Sequence, residues 1–381
     1  MVSKIAEPLC CPPAVCLLSN GHYNVLVTDA GSGYSVVDGT DVTRWREDIT
    51  CDCWGQYCYV RDLEEGRVWS AGRQPIGVGA DKYEAELRLD RAVICRRDGE
   101  IETCYEIAVV PDAKAEVRRL TLTNRGNRLR TLDVTSYSEV ALNPRRADQA
   151  HPAFAKLFLE TEHMRPDAAL LCRRRPRARD EQPLWALHVL ATAQEISGAR
   201  PGDFEFETDR ARFLGRGRSA RNPVALETRA PLSSTAGPVL DPIFSLRRMV
   251  RLSPGESAVL AFTTAMPRDR EEALALASRF SDLEAIDRAF DEAASSVKAR
   301  LAELNLRPDD AEAFQCLASH LLFTNPSLRS RESVAGNKLG QPRLWPHGIS
   351  GDLPIVLLRI SSEKGLQLTQ QIIQAHHYWR W

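Results

Sequence analysis

The chain has 381 residues, with 50 Lys and Arg against 51 Asp and Glu and a formal net charge of −1. So even a balance excludes a bulk field that would draw it to nucleic acid or anionic lipid. Its apolar share of 43% is that of an ordinary soluble globular protein, and ten cysteines are too few, in so long a chain, for a disulfide scaffold.

Residues 1–14 read as an N-terminal tail. Prolines interrupt "MVSKIAEPLCCPPAVCLL" before it can form the apolar core of a signal peptide. The longest apolar run, 354–358, is too short to span a bilayer, so no direct membrane insertion is expected. Cys95, Cys104 and Cys172 stand singly inside apolar patterns, which predicts free thiols and a reducing, cytoplasmic compartment.

From 15 to 266 the pattern is β. In "EVRRLTLTNRGNRLRTLDVTSYSEVAL" Val117, Leu120, Leu122, Leu132 and Val134 fall in alternating arrays broken by "NRGN" at 124–127. "SPGE" at 253–256 separates two further strands in the same way. Some 250 residues of short strands and turns predict a double-sized sandwich rather than an immunoglobulin-like module.

The period changes after Pro267. "RDREEALALASRF" and "AIDRAFDEAASSVKARLAELN" are helical, and Ile286, Phe290, Ala293, Val297, Leu301 and Leu304 form one apolar stripe. Pro308 opens a third helix that Asn325-Pro326 closes, so 267–325 reads as a helical linker. An irregular stretch to Gly351, an apolar run at 353–360 that should be buried, and a last helix over 363–381 complete the chain. That helix leaves "HHYWRW" to be covered by something else.

"SNGHYNVLVTDAGSGYS" is a strand framed by turns. Gly31 and Gly33 either make the hairpin or let a ligand approach the backbone. "TRWREDITCDCWGQYCYVRD" is the densest polar-aromatic segment. Arg44, Trp45, Arg46, Glu47 and Asp48 are the mixture that binds sugars, with rings on the C–H face and charged groups on the hydroxyls. A surface hairpin with internal ion pairs explains them equally. Cys51, Cys53 and Cys58 lack the paired knuckles of a zinc site, and no metal or cofactor is expected. No G-x-S-x-G elbow or H-E-x-x-H occurs. "RRRPRARD" and "GRGRSARNP" read as solvated basic loops. In "GISGDLP", Asp352 before Leu353-Pro354 fits a helix N-cap, and the same carboxylate suits a sugar hydroxyl.

"LLSNGHYNVLVTDAGSGYS", "VTRWREDITCDCWGQYCYVRD", "RRLTLTNRGNRLRTLDVTSYSEVAL", "GPVLDPI" and "GISGDLPIVLLRI" resemble, in order, the C-terminal phosphorylase-like region of cyclic β-1,2-glucan synthases. That region is similar to the cellobiose and chitobiose phosphorylases, a family of inverting glycoside phosphorylases. The resemblance implies a mainly β fold with α: an N-terminal β-supersandwich over 15–266, a helical linker over 267–325, and over 326–381 the first helices of an incomplete (α/α)6 barrel. It also implies that the catalytic acid and phosphate site belong to later parts of the barrel, so no catalytic residue is expected here.

By the same resemblance Ser350 and Asp352 are expected sugar contacts, and the loop carrying Arg44 to Asp48 reaches the barrel mouth. Inorganic phosphate is expected as a co-substrate of the complete family enzymes. The expected partners are a β-glucan oligosaccharide and either a second copy of the chain or a separate barrel portion, with no nucleic acid. The parent synthases are inner-membrane proteins. Three arrangements stay open: part of a glycoside phosphorylase or glycosyltransferase acting on β-1,2-glucan, a free-standing carbohydrate-binding module, or one part of a split enzyme.

Overall fold

The computed structural model describes residues 3–6, 12–48, 50–164, 168–193, 204–227, 230–323 and 325–380. Among them lie two nine-stranded antiparallel sheets. The first runs Ser3–Ile5, Lys82–Leu87, Ala92–Asp98, Ile101–Val109, Ala115–Asn124, Ser257–Ala265, Leu184–Thr192, Ala169–Arg174 and Leu159–Met164. The second runs Phe204–Asp209, Pro242–Leu252, Arg130–Pro144, Thr40–Thr43, Gly33–Val37, Tyr23–Thr28 and Val15–Ser19. Tyr57–Asp62 pairs with the first half of Arg130–Pro144 and carries Val68–Ser70 on its other side.

Alternation decides which face packs. In Ile101–Val109 the residues Ile101, Thr103, Tyr105 and Ile107 are buried while Glu102, Cys104 and Glu106 are less so. The inner faces meet in one core, where Tyr105, Leu120, Leu260 and Phe262 of the first sheet pack on Val25, Val60, Trp69 and Phe244 of the second. A polar column crosses this core. Glu116 and His188 of the first sheet reach Tyr23, Ser35 and Ser136 of the second, Arg118 pairs with Glu116, and Gln56 links Ser35 to Thr264 of the first sheet.

The long strand Arg130–Pro144 shifts register between Val140 and Asn143. Leu142 there is fully buried with φ +46°, a bulge held by its surroundings. Gly33 shows why glycine is needed in the first hairpin. A Cβ there would stand 1.8 Å from the Leu26 carbonyl oxygen, so what approaches the backbone is its own neighbouring strand and not a ligand.

Helices Arg270–Phe280 and Leu283–Glu303 cover the outer face of the first sheet through Ala273, Phe280, Ile286 and Phe290. Asp269 and Asp282 cap them, accepting from the Glu272 and Glu284 amides. Helix Pro308–Leu322 lies against Val15 and Leu26 of the second sheet. Among the described residues no helix is long and apolar enough to cross a membrane.

Four expectations need correcting. Ser3–Ile5, read as tail, pairs with Lys82–Leu87; residues 1–2 and 7–11 of that tail lie outside the described residues. Cys95 and Cys104 are not isolated thiols: the Ala92–Asp98/Ile101–Val109 register sets them directly opposite, and a disulfide joins them. The run 353–360 is neither helix nor strand and lies largely exposed, with Leu353 at 73% and Leu357 at 80% exposure. Asp352 therefore caps nothing there. The last helix, Leu366–Trp379, covers most of its own terminal aromatics: Tyr378 is buried against Phe314, and the Trp379 indole donates to the Phe314 carbonyl (3.0 Å). Trp381 lies outside the described residues.

Residues 327–362 bury almost nothing, so their backbone opens at little cost. Trypsin is expected to cut after Arg329, Lys338, Arg343 or Arg359 before it cuts any sheet strand, and the Leu366–Trp379 helix should stay bound to the core after the cut. Timed digestion with intact-mass readout and gel filtration checks this. Survival of those bonds for as long as the strands survive would contradict it.

Candidate functional site

The densest polar segment of the sequence leaves the second sheet where Thr40–Thr43 ends. The Arg44 amide donates to the Glu139 carbonyl (2.9 Å), and its guanidinium turns inward, only 4% exposed. There it meets Glu139 Oε2 at 2.8 Å, Asp148 Oδ2 at 3.4 Å and Asp241 Oδ1 at 3.6 Å. Glu139 also accepts from Arg210 Nε (2.6 Å) and the Tyr137 hydroxyl (3.0 Å). Arg46 closes on Asp148, and Lys156 stands 2.7 Å from Asp241. Buried charges persist only when paired like this. Burial alone would raise the Glu139 carboxyl, but Arg210 and Arg44 outweigh it and hold it below the ordinary value.

The neighbours of Arg44 divide in role. Trp45 is buried, its ring 5.0 Å from Tyr34 and 6.2 Å from Phe323, with the Arg145 guanidinium 4.9 Å away. Its faces belong to the packing of helix Pro308–Leu322 on the sheet. Arg46 lies 5.9 Å over Trp54, and Glu47 is exposed. Asp48 accepts from the Thr50 and Cys51 amides and fixes the loop that follows. Of these five predicted residues, Arg44 lines a cleft and the others support or flank it.

That cleft, ≈ 570 Å³, opens on the outer face of the second sheet. Trp54, Gln74 and Glu139 line it with Arg44 and three further arginines, Arg73, Arg210 and Arg221. Arg221 comes from "GRGRSARNP", read above as a solvated loop. The loop is largely exposed, as expected, and is also fastened over the sheet. Ala220 O accepts from the Tyr59 hydroxyl (2.8 Å), Asn222 Oδ1 accepts from the Ser219 amide (3.1 Å), and Arg218 pairs with Glu227. The arginine-rich composition was the signal for this wall; what hid it was the distance in sequence to Trp54 and Gln74.

Cys51 and Cys53 are exposed on the cleft while Cys58 faces the core between the sheets, so C-x-C-x4-C does not converge. Asp29 and Asp52 are the carboxyls raised furthest: burial, then the nearby Asp52, pushes Asp29 up to about 7, and burial pushes Asp52 up to about 6. Neither lines the cleft.

Ser350 and Asp352 lie elsewhere, on an exposed turn that closes on itself. Gln341 Nε2 donates to Ser350 O (2.7 Å) and Asp352 Oδ1 (2.8 Å), and the Trp345 indole donates to Ser350 O (3.3 Å). Among the described residues no hydrogen bond or ion pair joins this turn to Arg44 to Asp48.

Residues 2–283 match the family model described as glycosyl hydrolase 94, supersandwich domain. The chain is 33% identical over 380 residues to the cyclic beta-(1,2)-glucan synthase NdvB of Rhizobium meliloti (strain 1021), covering 100% of this chain and 13% of that protein. It is 23% identical over 279 residues to the N,N'-diacetylchitobiose phosphorylase of Vibrio proteolyticus, covering 72% of this chain and 33% of the enzyme. With the solabiose phosphorylase of Paenibacillus borealis the identity is 23% over 201 residues, 53% of this chain and 24% of the enzyme. The chain thus spans a third or less of the length of each of these relatives.

Proposed function

The chain belongs to the glycosyl hydrolase 94 family through its supersandwich domain, and on that premise we propose that it is the sandwich-bearing part of a glycoside phosphorylase or glycosyltransferase acting on β-1,2-glucan. The single observation that carries the substrate is the 33% identity to the glucan synthase along the whole of this chain.

An inverting glycosidase needs one carboxyl to protonate the departing oxygen and another to activate water. A phosphorylase needs only the first, because phosphate is itself the nucleophile. On this reading the acid lies outside these 381 residues and phosphate is a co-substrate. In support, the carboxylate on the cleft, Glu139, is committed to two arginines and held ionised. Absence of the acid removes a factor of about 10²–10⁴ in rate.

The protein incubated with β-1,2-glucan and phosphate is expected to release no glucose 1-phosphate above a protein-free control. Calorimetric titration with sophoro-oligosaccharides is expected to show binding. Glucose 1-phosphate release would refute the placement of the acid, and failure to bind any sophoro-oligosaccharide would refute the glucan. A free-standing carbohydrate-binding module is the second reading. It is favoured by a cleft whose walls all come from the sandwich and its loops. Binding without turnover, persisting in the trypsin-nicked protein, supports the module; binding lost on nicking does not.

A further inference from the structure

Cys51 and Cys53 are two exposed thiols on one wall of the cleft, and the glucan reading gives them no role. The residue between them sets their direction. Asp52 turns inward, where its Oδ2 accepts from the Thr28 hydroxyl (2.8 Å) and its carbonyl accepts from the Ser32 hydroxyl. With Asp52 held inward, the side chains on either side of it point outward. Asp52 is also left-handed, with φ +41°. Such a residue folds the chain back, which draws the flanking Cα atoms toward the range of about 4.4–6.8 Å that a disulfide spans.

The surrounding backbone is tethered on both sides. The Asp52 amide donates to the Asp48 carbonyl (2.9 Å), Gln74 Nε2 donates to the Cys51 carbonyl (2.8 Å), and the Gly33 amide donates to the Trp54 carbonyl (2.8 Å). The two thiols are therefore set side by side by the fold. The other described cysteines form no such pair. Cys16, Cys58 and Cys172 are buried, Cys95 and Cys104 are joined to each other, and Cys316 is exposed alone.

We propose that Cys51 and Cys53 form a dithiol site that is reversibly oxidised by a low-molecular-weight disulfide such as glutathione disulfide. The Cys51 thiolate attacks one sulfur of that disulfide; a new S–S bond forms as the old one breaks, and one glutathione leaves as its thiolate. The Cys53 thiolate then attacks Cys51 Sγ and expels the second glutathione. The cysteine pair gives up two electrons, the small disulfide takes them up, and the two cysteine protons end on the two released thiolates.

The order follows from the surroundings. Partial desolvation, and then the neighbouring Cys51, push the Cys53 thiol up to about 11, so Cys53 is the slower to strike first. The second influence ends once Cys51 is held in the mixed disulfide. This inference is independent of the glucan reading, and its test uses no sugar.

The whole chain is incubated with glutathione disulfide at mildly alkaline pH, and the remaining thiols are blocked by alkylation. Trypsin after Arg46 and chymotrypsin after Trp54 release residues 47–54, which hold Cys51 and Cys53 without Cys58. That peptide is expected to carry neither alkyl group nor glutathione and to be two hydrogens lighter than the dithiol. Dithiothreitol before blocking should restore the dithiol. Cys316 in the same sample should carry glutathione instead, having no second thiol beside it. Cys53→Ser should stop at the mixed disulfide on Cys51. Cys51→Ser should react about fivefold more slowly, because the raised Cys53 thiol is left to attack alone.

Peptide 47–54 bearing glutathione on both cysteines, or both thiols left free while Cys316 is modified, would overturn the proposal. Cys51→Ser reacting as fast as the unaltered chain would overturn it as well. Both side chains are exposed, so the variants should fold; if one does not, the peptide mass from the unaltered chain still decides.

Discussion

Replacing Glu116 with alanine is expected to destabilise the protein by about 3–5 kcal/mol, because it leaves a buried guanidinium without its counter-charge. Glu116 is fully buried between the two sheets. One oxygen accepts from the Tyr23 hydroxyl (3.0 Å), the Ser35 hydroxyl and Gln56 Nε2; the other stands 2.7 Å from Arg118. Arg118 is 4% exposed, and its other donors go to the Gln56 carbonyl (3.0 Å) and the Tyr105 hydroxyl (3.5 Å). Removing the carboxylate strands Arg118 and leaves Tyr23 and Ser35 without their acceptor. Replacing Glu116 and Arg118 together by methionine should cost less than Glu116→Ala alone, since no charge is then left unpaired. Urea unfolding of the three proteins measures this. A single-variant loss below about 1 kcal/mol, the range of an exposed pair, would show that water reaches the pair.

The second large effect is acid sensitivity carried by His188. Its ring lies nearly parallel between Phe244 and Phe262, with centroids at 5.6 and 5.8 Å. Its two nitrogens stand 2.9 Å from Ser136 Oγ and 2.9 Å from Thr264 Oγ1. Burial, and then the Arg118 charge, push its pKa down to about 3 from the ordinary 6.5. Between those values the unfolded chain takes up a proton that the folded one refuses. Stability therefore rises with pH across that window and is lost on acidification, by about 1.4 kcal/mol per unit. The variant His188→Gln has no such proton to refuse. Wild type should be the more stable near pH 7.5, and its advantage should shrink by about 2–3 kcal/mol by pH 4.5. Asp29 and Asp52 act in the opposite sense, since their raised pKa values give stability that is full below about 4 and lost as pH rises through about 6 to 7. They are common to both proteins and cancel in the difference. A gap that does not change with pH would mean the imidazole is protonated in place.

The sandwich and the helices that follow it were legible because both are written in local period. Alternation around "NRGN" marks two consecutive strands, Ala115–Asn124 and Arg130–Pro144, and the stripe from Ile286 to Leu301 marks the buried face, whose Ile286, Phe290 and Ala293 meet the first sheet while Val297 and Leu301 meet Phe314 and Tyr378 of the later helices. What depended on distant neighbours was not legible. The composition of Arg44 to Asp48 suits a sugar site and a buried ion-pair cluster equally. The deciding partners, Asp148, Asp241 and Phe323, are supplied by other elements. The run 353–360 is apolar in sequence and exposed in space, since hydropathy does not say whether anything lies opposite. The Cys95–Cys104 pair was readable in principle. The tight turn at Gly99 pairs Asp98 with Ile101, and counting back three residues on each side brings the sulfurs together.

The bulge at Leu142 fixes the parity of the last two residues of its strand, Asn143 and Pro144, and so the point at which Arg145 opens the next helix. Side chains on a strand alternate like odd and even numbers, and one surplus residue exchanges the two sets. A lineage that dropped a residue here would turn Asn143 outward and swing Arg145 away from Asp41 and from the Tyr34 ring it covers at 4.1 Å. Insertions and deletions at this point should therefore survive in descendants only in twos.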